Sequence, residues 1–310
     1  MARRAPHDTV PLAVGSRPIP LPDVAARLGA YQVLAPLAKG GMCDVYLGSH
    51  LPTGERVAIK VLDPDLSTEA AIVARLMAER EVSERVQHPG LVDVRAADTS
   101  TQGTIYLVME YLDGENLNTL AERGPMVPGA IAAIGSQIAD ALEAMHGAGV
   151  IHGDVKPDNV VVLYEQGIAG WPRIKVIDFG VSKFLDKPEV DDGSIAGTPS
   201  YMPPEQWRGE PGPKSDVYAL GCLLYEIATG VLPFSGPLPK LMLAHVHEMP
   251  KRPTHHRPEL PAELDRLIVR ALAKDPDMRP TMREMRDGLE AVSLILPGQA
   301  MDLELLDATG

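Results

Sequence analysis

The most informative stretch for the fold is His152-Gly153-Asp154-Val155-Lys156-Pro157-Asp158-Asn159, which groups several polar side chains. It brings a carboxylate, an ammonium and an amide within six positions, and Asp178-Phe179-Gly180 follows a predicted strand over residues 174–177. Carboxylate and amide oxygens suit hard, oxygen-seeking Mg²⁺ rather than zinc, and lysine suits phosphate. Together the two motifs predict a site for an anion that is held with a divalent metal.

Two further motifs lie upstream of this stretch. Lys39-Gly40-Gly41 is a turn between predicted strands, and by itself it is typical of an ordinary hairpin. Val57-Ala58-Ile59-Lys60 places one lysine in an apolar strand, where an ammonium is costly to bury unless an anion meets it. The simpler interpretation of that motif alone is an edge-strand lysine that faces water. The order and spacing of all four motifs argue against coincidence.

The composition limits the class of protein. Of the 310 residues, 45% are apolar and 23% are charged, a balance typical of a folded globular protein. No uninterrupted apolar run approaches 18 residues and no apolar segment follows the basic start, so we expect neither a membrane span nor a secretion signal. The formal net charge of −13 disfavours nucleic acid as a partner. Two cysteines, Cys43 and Cys222, are too few for a disulfide scaffold, and they favour a reducing, cytoplasmic location.

The predicted secondary structure divides the chain into a sheet half and a helical half. Strands are predicted over residues 31–37, 44–48, 56–62, 91–96 and 105–111. One helix is predicted among them, over residues 68–86, where Ala, Glu, Arg and Met are frequent and Gly and Pro are absent. Apolar residues then recur at helical spacing from Ile131 to Met145. Further helices are predicted over residues 216–228, 262–272 and 282–295.

With these motifs in this order, the sequence resembles the eukaryotic-like serine/threonine protein kinases. Gly40-Gly41-Met42 with Val45-Tyr46 is most similar to the bacterial branch, and the resemblance covers roughly residues 28–292. Its markers are residues 57–60, 152–159, 178–180, Gly197-Thr198 through Pro203-Pro204-Glu205, residues 215–221, and Asp275-Pro276 with Arg279-Pro280.

The resemblance implies an α+β, two-lobed protein kinase fold over residues 28–293. The N-lobe, residues 28–112, would hold an antiparallel β-sheet with one main helix, and the C-lobe, residues 113–293, would be mostly helical. ATP would lie between the lobes, beside a hinge near residues 109–114. We expect residues 1–27 to be a Pro-rich flexible leader and residues 294–310 to be a C-terminal tail.

The resemblance also implies catalytic roles. Lys60 would hold the α and β phosphates of ATP, aimed by a glutamate on the following helix. We assign that glutamate to Glu79, nine residues before His88, with Glu81 and Glu84 on the same helix as alternatives. Asp154 would orient the attacking hydroxyl and accept its proton, and Lys156 would steady the γ-phosphate; Lys156 together with Thr198 favours Ser/Thr acceptors.

The implied ligands of nucleotide and metal form two sets. Asn159 and Asp178 would bind Mg²⁺. Residues implied to contact ATP besides Lys60 are Leu37, Ala38, Gly40, Gly41, Cys43, Val45, Ala58, Met109, Glu110, Leu112 and Val161. Six of these are apolar residues expected to sandwich adenine, although plain core packing explains any one of them alone: Leu37, Val45, Ala58, Met109, Leu112 and Val161.

Other positions have implied structural roles. Glu205 and Arg279 are expected to form a buried ion pair that ties the end of the activation segment to the helical lobe. Asp216 is expected to brace the catalytic loop from a central helix.

The sequence departs from the family pattern at three places. Ala38 and Cys43 replace the outer two of three usual glycines in the loop that covers the phosphates, which puts close backbone approach in doubt. Gly153 replaces the arginine that usually precedes the catalytic aspartate, so we expect control by activation-loop phosphate to be missing. Residues 167–172 resemble an inserted loop carrying Trp171, which we interpret as an ordinary surface loop.

The sequence therefore predicts an ATP- and Mg²⁺-dependent serine/threonine protein kinase that acts on protein substrates. One rival is a pseudokinase, a binding or scaffolding module, which the altered glycine loop favours and intact Lys60, Asp154, Asn159 and Asp178 disfavour. A small-molecule kinase is a third option, and the activation segment that ends in Pro203-Pro204-Glu205 disfavours it. The sequence does not define the oligomeric state.

Overall fold

A six-stranded antiparallel sheet forms the first half of the structure, a computed structural model that describes residues 26–166, 171–180, 182–186 and 197–296. The strand order is β1-β2-β3-β4-β6-β5. The strands are β1 Arg27–Leu28, β2 Tyr31–Lys39, β3 Cys43–His50, β4 Arg56–Leu62, β5 Val94–Thr99 and β6 Ile105–Glu110. The first strand thus begins at Arg27, one residue inside the predicted leader.

Alternation along the strands gives this sheet two different faces. Val57, Ile59 and Val61 of β4 are buried in a small apolar cluster with Tyr46 and Val108. Ala58 and Lys60 point to the opposite face, because successive strand side chains alternate. The alternation therefore sends the one lysine of β4 away from the apolar cluster and toward the rest of the molecule.

The main helix of this lobe, α1 Ala70–Arg85, packs against β5 and β6. It is slightly shorter than predicted, because Pro64–Leu66 form a short 3₁₀ turn before it and Val86 after it has extended dihedral angles. Leu76, Glu79, Val82 and Ser83 are its buried face. Ser83 bonds to Val94 N, and the buried charge of Glu79 also needs a partner, which the candidate active site supplies.

The second half is mostly helical. Its helices are α2 Leu117–Glu122, α3 Pro128–Gly147, α4 Pro213–Thr229, α5 Leu238–His247, α6 Pro253–His256, α7 Ala262–Ala271 and α8 Met282–Ile295. Helix α4 is buried along almost its whole length, as its apolar sequence predicts, and α3 packs along α8. Together with the first half this confirms the predicted α+β, two-lobed architecture.

Two small sheets flank the loops that contain Asp154 and Asp178. One has the order β10-β9-β7 and the other β11-β8. Their strands are β7 Gly114–Asn116, β8 Val150–Ile151, β9 Val160–Gln166, β10 Pro172–Val176 and β11 Lys183–Phe184. Asp154 lies between β8 and β9, and Asp178 between β10 and β11. Each motif of the sequence is thereby held between two short strands.

The interpretation of residues 167–172 as a surface loop is wrong for Trp171 and Pro172. Its side chain is only 4% exposed and belongs to the main core, and Pro172 begins β10. The ring packs on Gly129 at the start of α3, where a Cβ atom would come within 2.6 Å of it. A glycine on the helix thus makes room for the tryptophan, and residues 167–170 lie outside the described part of the chain.

No helix in the described residues has both the length and the apolar character needed to cross a membrane.

Candidate active site

Lys60 is the centre of the charged cluster between the lobes. Its Nζ donates to Glu79 Oε1 at 2.7 Å and to Asp178 Oδ1 at 3.1 Å. Burial alone would lower the pKa of Lys60, but attraction to these two carboxylates raises it above its usual value, so Lys60 is cationic. The cluster joins β4, α1 and the loop after β10, which are the three elements that a phosphate ligand of Lys60 would meet.

The structure distinguishes Glu79 from the two alternative glutamates. Glu79 is 2% exposed and faces Lys60. Glu81 pairs with Arg85 at 3.1 Å, and Glu84 pairs with Arg80 at 2.8 Å, both along the surface of α1. Of the three, Glu79 is the one on the inner face of the helix.

Asp178 has an unusual backbone conformation. With φ of 66° it is the only non-glycine with a positive φ among the described residues, a conformation that concentrates at functional sites. Its carboxylate accepts from Gly180 N at 3.3 Å, and a Cβ atom on Gly180 would lie 3.2 Å from Glu79 Oε1. Desolvation alone would raise the pKa of Asp178, but Lys60 and the Gly180 N–H hold it below its ordinary value. Asp178 is therefore ionised at neutral pH.

Asp154 lies in a network of donors. Its Oδ1 accepts from Thr198 N at 2.8 Å, and its Oδ2 lies 2.8 Å from Lys156 Nζ. Lys156 Nζ also donates to Thr198 Oγ1 at 2.7 Å. Asn159 Nδ2 donates to Asp154 O at 2.8 Å, which turns the amide oxygen of Asn159 away from Asp154. The structure thus joins Asp154, Lys156, Asn159 and Thr198 in one hydrogen-bonded network.

The catalytic loop is braced from the central helix, as predicted. Asp216 accepts from His152 N and Gly153 N, each at 2.9 Å. His146 Nε2 lies 2.7 Å from the same carboxylate. Although burial would raise the pKa of Asp216, His146 and the loop N–H groups lower it. Gly153 has a φ of 78°, which a residue without Cβ adopts without strain.

Two polar residues of the site were not expected. Gln206 Nε2 donates to Gly153 O at 2.8 Å and takes the space beside Gly197, where a Cβ would lie 2.6 Å from it. His146 holds Asp216, as described above. Both partners lie more than 50 positions away from the groups they hold, so no local pattern in the sequence indicates them.

The apolar residues predicted to contact adenine come from both lobes. Ala58 is directly opposite Met109 in the sheet, and Val45 is directly opposite Lys60. Val161 lies on β9 of the other lobe, next to the loop of Asn159. Of the six predicted residues, Ala58 is 9% exposed and Leu37 is 46% exposed. The other four are partly buried. The structure therefore leaves apolar surface on both lobes, as a planar aromatic ligand requires. The side chain of Glu110 bonds to Lys175 and Asp93 N, and Leu112 is partly buried.

The glycine turn between β2 and β3 keeps one essential glycine. A Cβ atom on Gly40 would lie 2.5 Å from the carbonyl oxygen of Cys43, whereas Gly41 has open space around it. Gly40 N donates to Asp44 Oδ1 at 3.3 Å, a contact that the sequence analysis did not anticipate. Ala38 lies in β2 opposite Val45, and Cys43 begins β3. The two residues that replace the usual glycines thus lie in the strands on either side of the turn, with Ala38 next to an irregularity in the pairing of β2 with β3.

The residues present fit ATP and Mg²⁺. Asp178 offers a carboxylate and Asn159 an amide oxygen, which are hard ligands, and the described residues contain no group of three or more His, Cys, Asp or Glu suited to hold a metal without help. Mg²⁺ commonly takes one or two protein ligands and completes its shell with substrate phosphates and water. Lys60, with its two carboxylate partners, supplies the cation that balances those phosphates.

The second buried ion pair predicted from the sequence is also confirmed. Arg279 Nη1 and Nη2 donate to the two oxygens of Glu205 at 2.6 and 2.9 Å, and Ser215 Oγ donates to Glu205 at 2.7 Å. The guanidinium carbon lies 4.9 Å from the centre of the Tyr218 ring. The ion pair fastens the end of the activation segment to the loop between α7 and α8, and the Ser215 bond fastens it to α4.

Cys43 is expected to react slowly with thiol reagents. Burial, reinforced by Glu79 and Asp178 and opposed by Lys60, raises the pKa of its thiol to about 11. Since the thiolate is the reactive form, iodoacetamide at pH 7.5 should modify Cys43 on the order of a hundredfold more slowly than free cysteine, at a rate that rises with pH. ATP should slow the reaction further. Peptide mass spectrometry over time measures it.

Cys222 is the internal control for this reaction, because it is fully buried and should react only after unfolding. Labelling of Cys43 at the rate of free cysteine, or labelling that ignores ATP, would contradict the placement of this thiol in the cleft.

Comparison with known proteins supports the geometry. A profile described as protein kinase domain matches residues 31–288. The chain is 40% identical over 263 residues to the serine/threonine-protein kinase Pkn1 of Myxococcus xanthus, covering 83% of this chain and 37% of that protein. It is 36% identical over 282 residues to the serine/threonine-protein kinase PknB of Mycolicibacterium smegmatis, covering 88% and 44%. The chain spans less than half the length of these curated relatives.

The fold also resembles a solved structure. The crystal structure of the Mycobacterium tuberculosis PknI kinase domain superposes with a TM-score of 0.68 at 28% sequence identity, covering 86% of this chain and 98% of that one.

Proposed function

The chain belongs to the protein kinase family, and from that premise we propose that it transfers the γ-phosphate of ATP to serine and threonine hydroxyls of protein substrates. The observation that carries this proposal is the cleft itself, which contains two charged groups, Lys60 with Glu79 and Asp178, and Asp154 with Lys156 and Asn159. The family uses ATP and Mg²⁺ as phosphate donor and metal. We further propose residues 28–293 as the catalytic domain, with its lobes divided near residue 112.

Each residue of the cleft has a role that follows from its position. Lys60, fixed by Glu79, would bind phosphate oxygens, and Asp178 with Asn159 would bind Mg²⁺. Asp154 would orient the acceptor hydroxyl and take its proton on a carboxylate oxygen. When bound, ATP with Mg²⁺ supplies the phosphoryl group and the metal charge that stabilises its transfer. Positioning and charge are the contributions of the protein, because phosphoryl transfer needs little covalent help.

The contact of Lys156 with Thr198 supports an aliphatic hydroxyl as the acceptor. Lys156 lies within hydrogen-bond distance of both Asp154 and Thr198, so its ammonium stands beside the place where the acceptor oxygen must come. Incubation of the pure protein with ATP, Mg²⁺ and a generic protein substrate, followed by mass spectrometry, tests the proposal. Phosphoserine or phosphothreonine is the expected product; nucleotide binding without any transfer would favour the pseudokinase alternative.

We propose that the protein acts in the cytoplasm. Both cysteines are free thiols, which a reducing compartment preserves. The net charge of −13 disfavours nucleic acid as a partner.

We propose that activity does not require phosphorylation of the activation loop. Gly153 lacks the charge of the arginine that would pair with a phosphate there, and the loop already contains Glu189, Asp191 and Asp192. Residues 187–196, with Ser194 among them, lie outside the described part of the chain. Ser194→Ala and phosphatase-treated wild type should both keep activity within about fivefold of untreated wild type on a generic protein substrate. A larger loss in both would show a phosphate-dependent switch.

A further inference from the structure

The first described residues of the activation segment are fixed next to the catalytic loop. Lys183 and Phe184 of β11 pair with Ile151 and Val150 of β8, immediately before His152. Leu185 N donates to Gly149 O at 2.8 Å. The position of Phe184 and of the following Asp186 is therefore tied to the loop that carries Asp154.

Arg85, the last residue of α1, contacts this segment from the other lobe. Its guanidinium carbon lies 4.5 Å from the centre of the Phe184 ring, a cation–π contact. Its Nη1 bonds to both carboxylate oxygens of Asp186, at 2.9 and 3.0 Å. Its Nη2 lies 3.1 Å from Glu81 on the same helix, which helps to fix the guanidinium.

Two side chains of helix α1 thereby reach the cleft and the activation segment. Glu79 reaches Lys60 in the cleft, and Arg85, six residues later, reaches the activation segment. A movement of α1 away from the cleft would separate Glu79 from Lys60 and would also strain or break the contacts of Arg85. The two attachments should therefore favour the same position of the helix.

We propose that Arg85, Phe184 and Asp186 form a latch that holds α1 where Glu79 meets Lys60, with the Asp186 carboxylate as a permanent anion in this contact. The proposal rests on the proposed kinase function and deepens it. The Asp186 carboxylate is always present, whereas a phosphate would have to be added to the loop by phosphorylation. It supplies a physical reason for activity without loop phosphate in a chain that has Gly153 in place of an arginine. Arg85 and Asp186 are positioning residues, since they act through Glu79.

The expected effect is moderate, because the pair is partly open to water. Arg85 is 28% and Asp186 63% exposed, and exposed ion pairs are weak and screened by salt. The stacking on Phe184 adds to the contact. We therefore expect Asp186→Asn to lower kcat about threefold to fivefold at low salt, and less at about 0.5 M salt. Asp186→Glu keeps the charge and should stay within about twofold of wild type.

A double-mutant cycle tests whether the two residues act as one unit. Asp186→Asn, Arg85→Gln and the double variant are assayed for phosphorylation of a generic protein substrate after phosphatase treatment, with thermal unfolding in parallel. The double variant should be no slower than the slower single variant. Glu263→Gln removes a comparably exposed carboxylate that pairs with Arg266 on α7, and it is the matched control. Fully additive losses, or single variants within twofold of wild type, would overturn the latch.

Amide hydrogen exchange of residues 70–85 gives a readout that does not depend on turnover. Asp186→Asn should exchange several-fold faster than wild type in this helix, whereas Asp186→Glu and Glu263→Gln should not. Unchanged exchange in Asp186→Asn would overturn the proposal. If wild type transfers no phosphate, the proposed function fails, and exchange alone then decides whether the latch exists.

Discussion

Replacing Asp154 with asparagine or Lys60 with methionine is expected to lower phosphoryl transfer on the order of 10³-fold or more, with the fold intact. The Asp154→Asn change would keep the size of the side chain and an oxygen for the Thr198 N–H, but it would remove the negative charge and the capacity to take a proton. The Lys60→Met change would keep the apolar stem of the lysine and remove the cation that Glu79 and Asp178 share. The measurement is kcat on a protein substrate at saturating ATP and Mg²⁺, together with the midpoint of thermal unfolding.

Lys240→Met is a matched control for the lysine variant, because Lys240 is exposed on α5, in the helical lobe. It should keep the turnover of wild type. If either Asp154→Asn or Lys60→Met turned over within about tenfold of wild type, the assigned roles would be wrong.

The second large effect should be on stability. Arg279→Met is expected to lower the free energy of unfolding by about 3–5 kcal/mol, because it leaves the buried carboxylate of Glu205 without its cation. Arg279 is 2% and Glu205 5% exposed, so water cannot replace the lost bonds. Urea unfolding measures the loss. Adding Glu205→Gln to Arg279→Met should restore part of it, since the unpaired charge is then removed.

The same pair predicts how stability depends on pH. Burial alone would raise the pKa of Glu205, but Arg279 holds it below its ordinary value of 4.5. A carboxyl whose pKa is lower in the folded state stabilises the fold above its unfolded pKa. That contribution to stability is lost as the pH falls through the lowered pKa of the folded state.

Arg266→Met is the control for the Arg279 variant, because it breaks an exposed ion pair and should lower the free energy of unfolding by at most about 1 kcal/mol. An equally small loss for Arg279→Met would contradict the role assigned to the buried pair.

The order of elements and the chemistry of the cleft could be predicted because their signals are local. Lys60 lies in an apolar strand, Asp154 in a polar loop, and Asp178 directly after a strand, and each pattern is visible within a few residues. The alternation of β4 also determines that Lys60 faces away from the cluster of Ile59. Spacing from His88 favoured Glu79, but only the helix geometry shows that Glu81 and Glu84 bond along the surface instead.

Contacts between distant residues could not be predicted in this way. Arg85 meets Asp186 across 101 positions, and Gln206 meets Gly153 across 53. Such partners are set by how α1, α4 and the loops pack, which no periodicity encodes. Trp171 was misinterpreted for the same reason: its neighbour Gly129 lies on another element, and a glycine near a helix start indicates no partner by itself.

The burial of Trp171 on Gly129 also determines what optical spectroscopy would report. The chain has two tryptophans, Trp171 and Trp207, and both belong to the helical lobe. Tryptophan emission would thus follow that lobe alone, while far-ultraviolet circular dichroism follows the strands of the other lobe as well. The two melting curves would coincide only if the lobes unfold together, so their separation would measure how tightly the cleft couples one half of the molecule to the other.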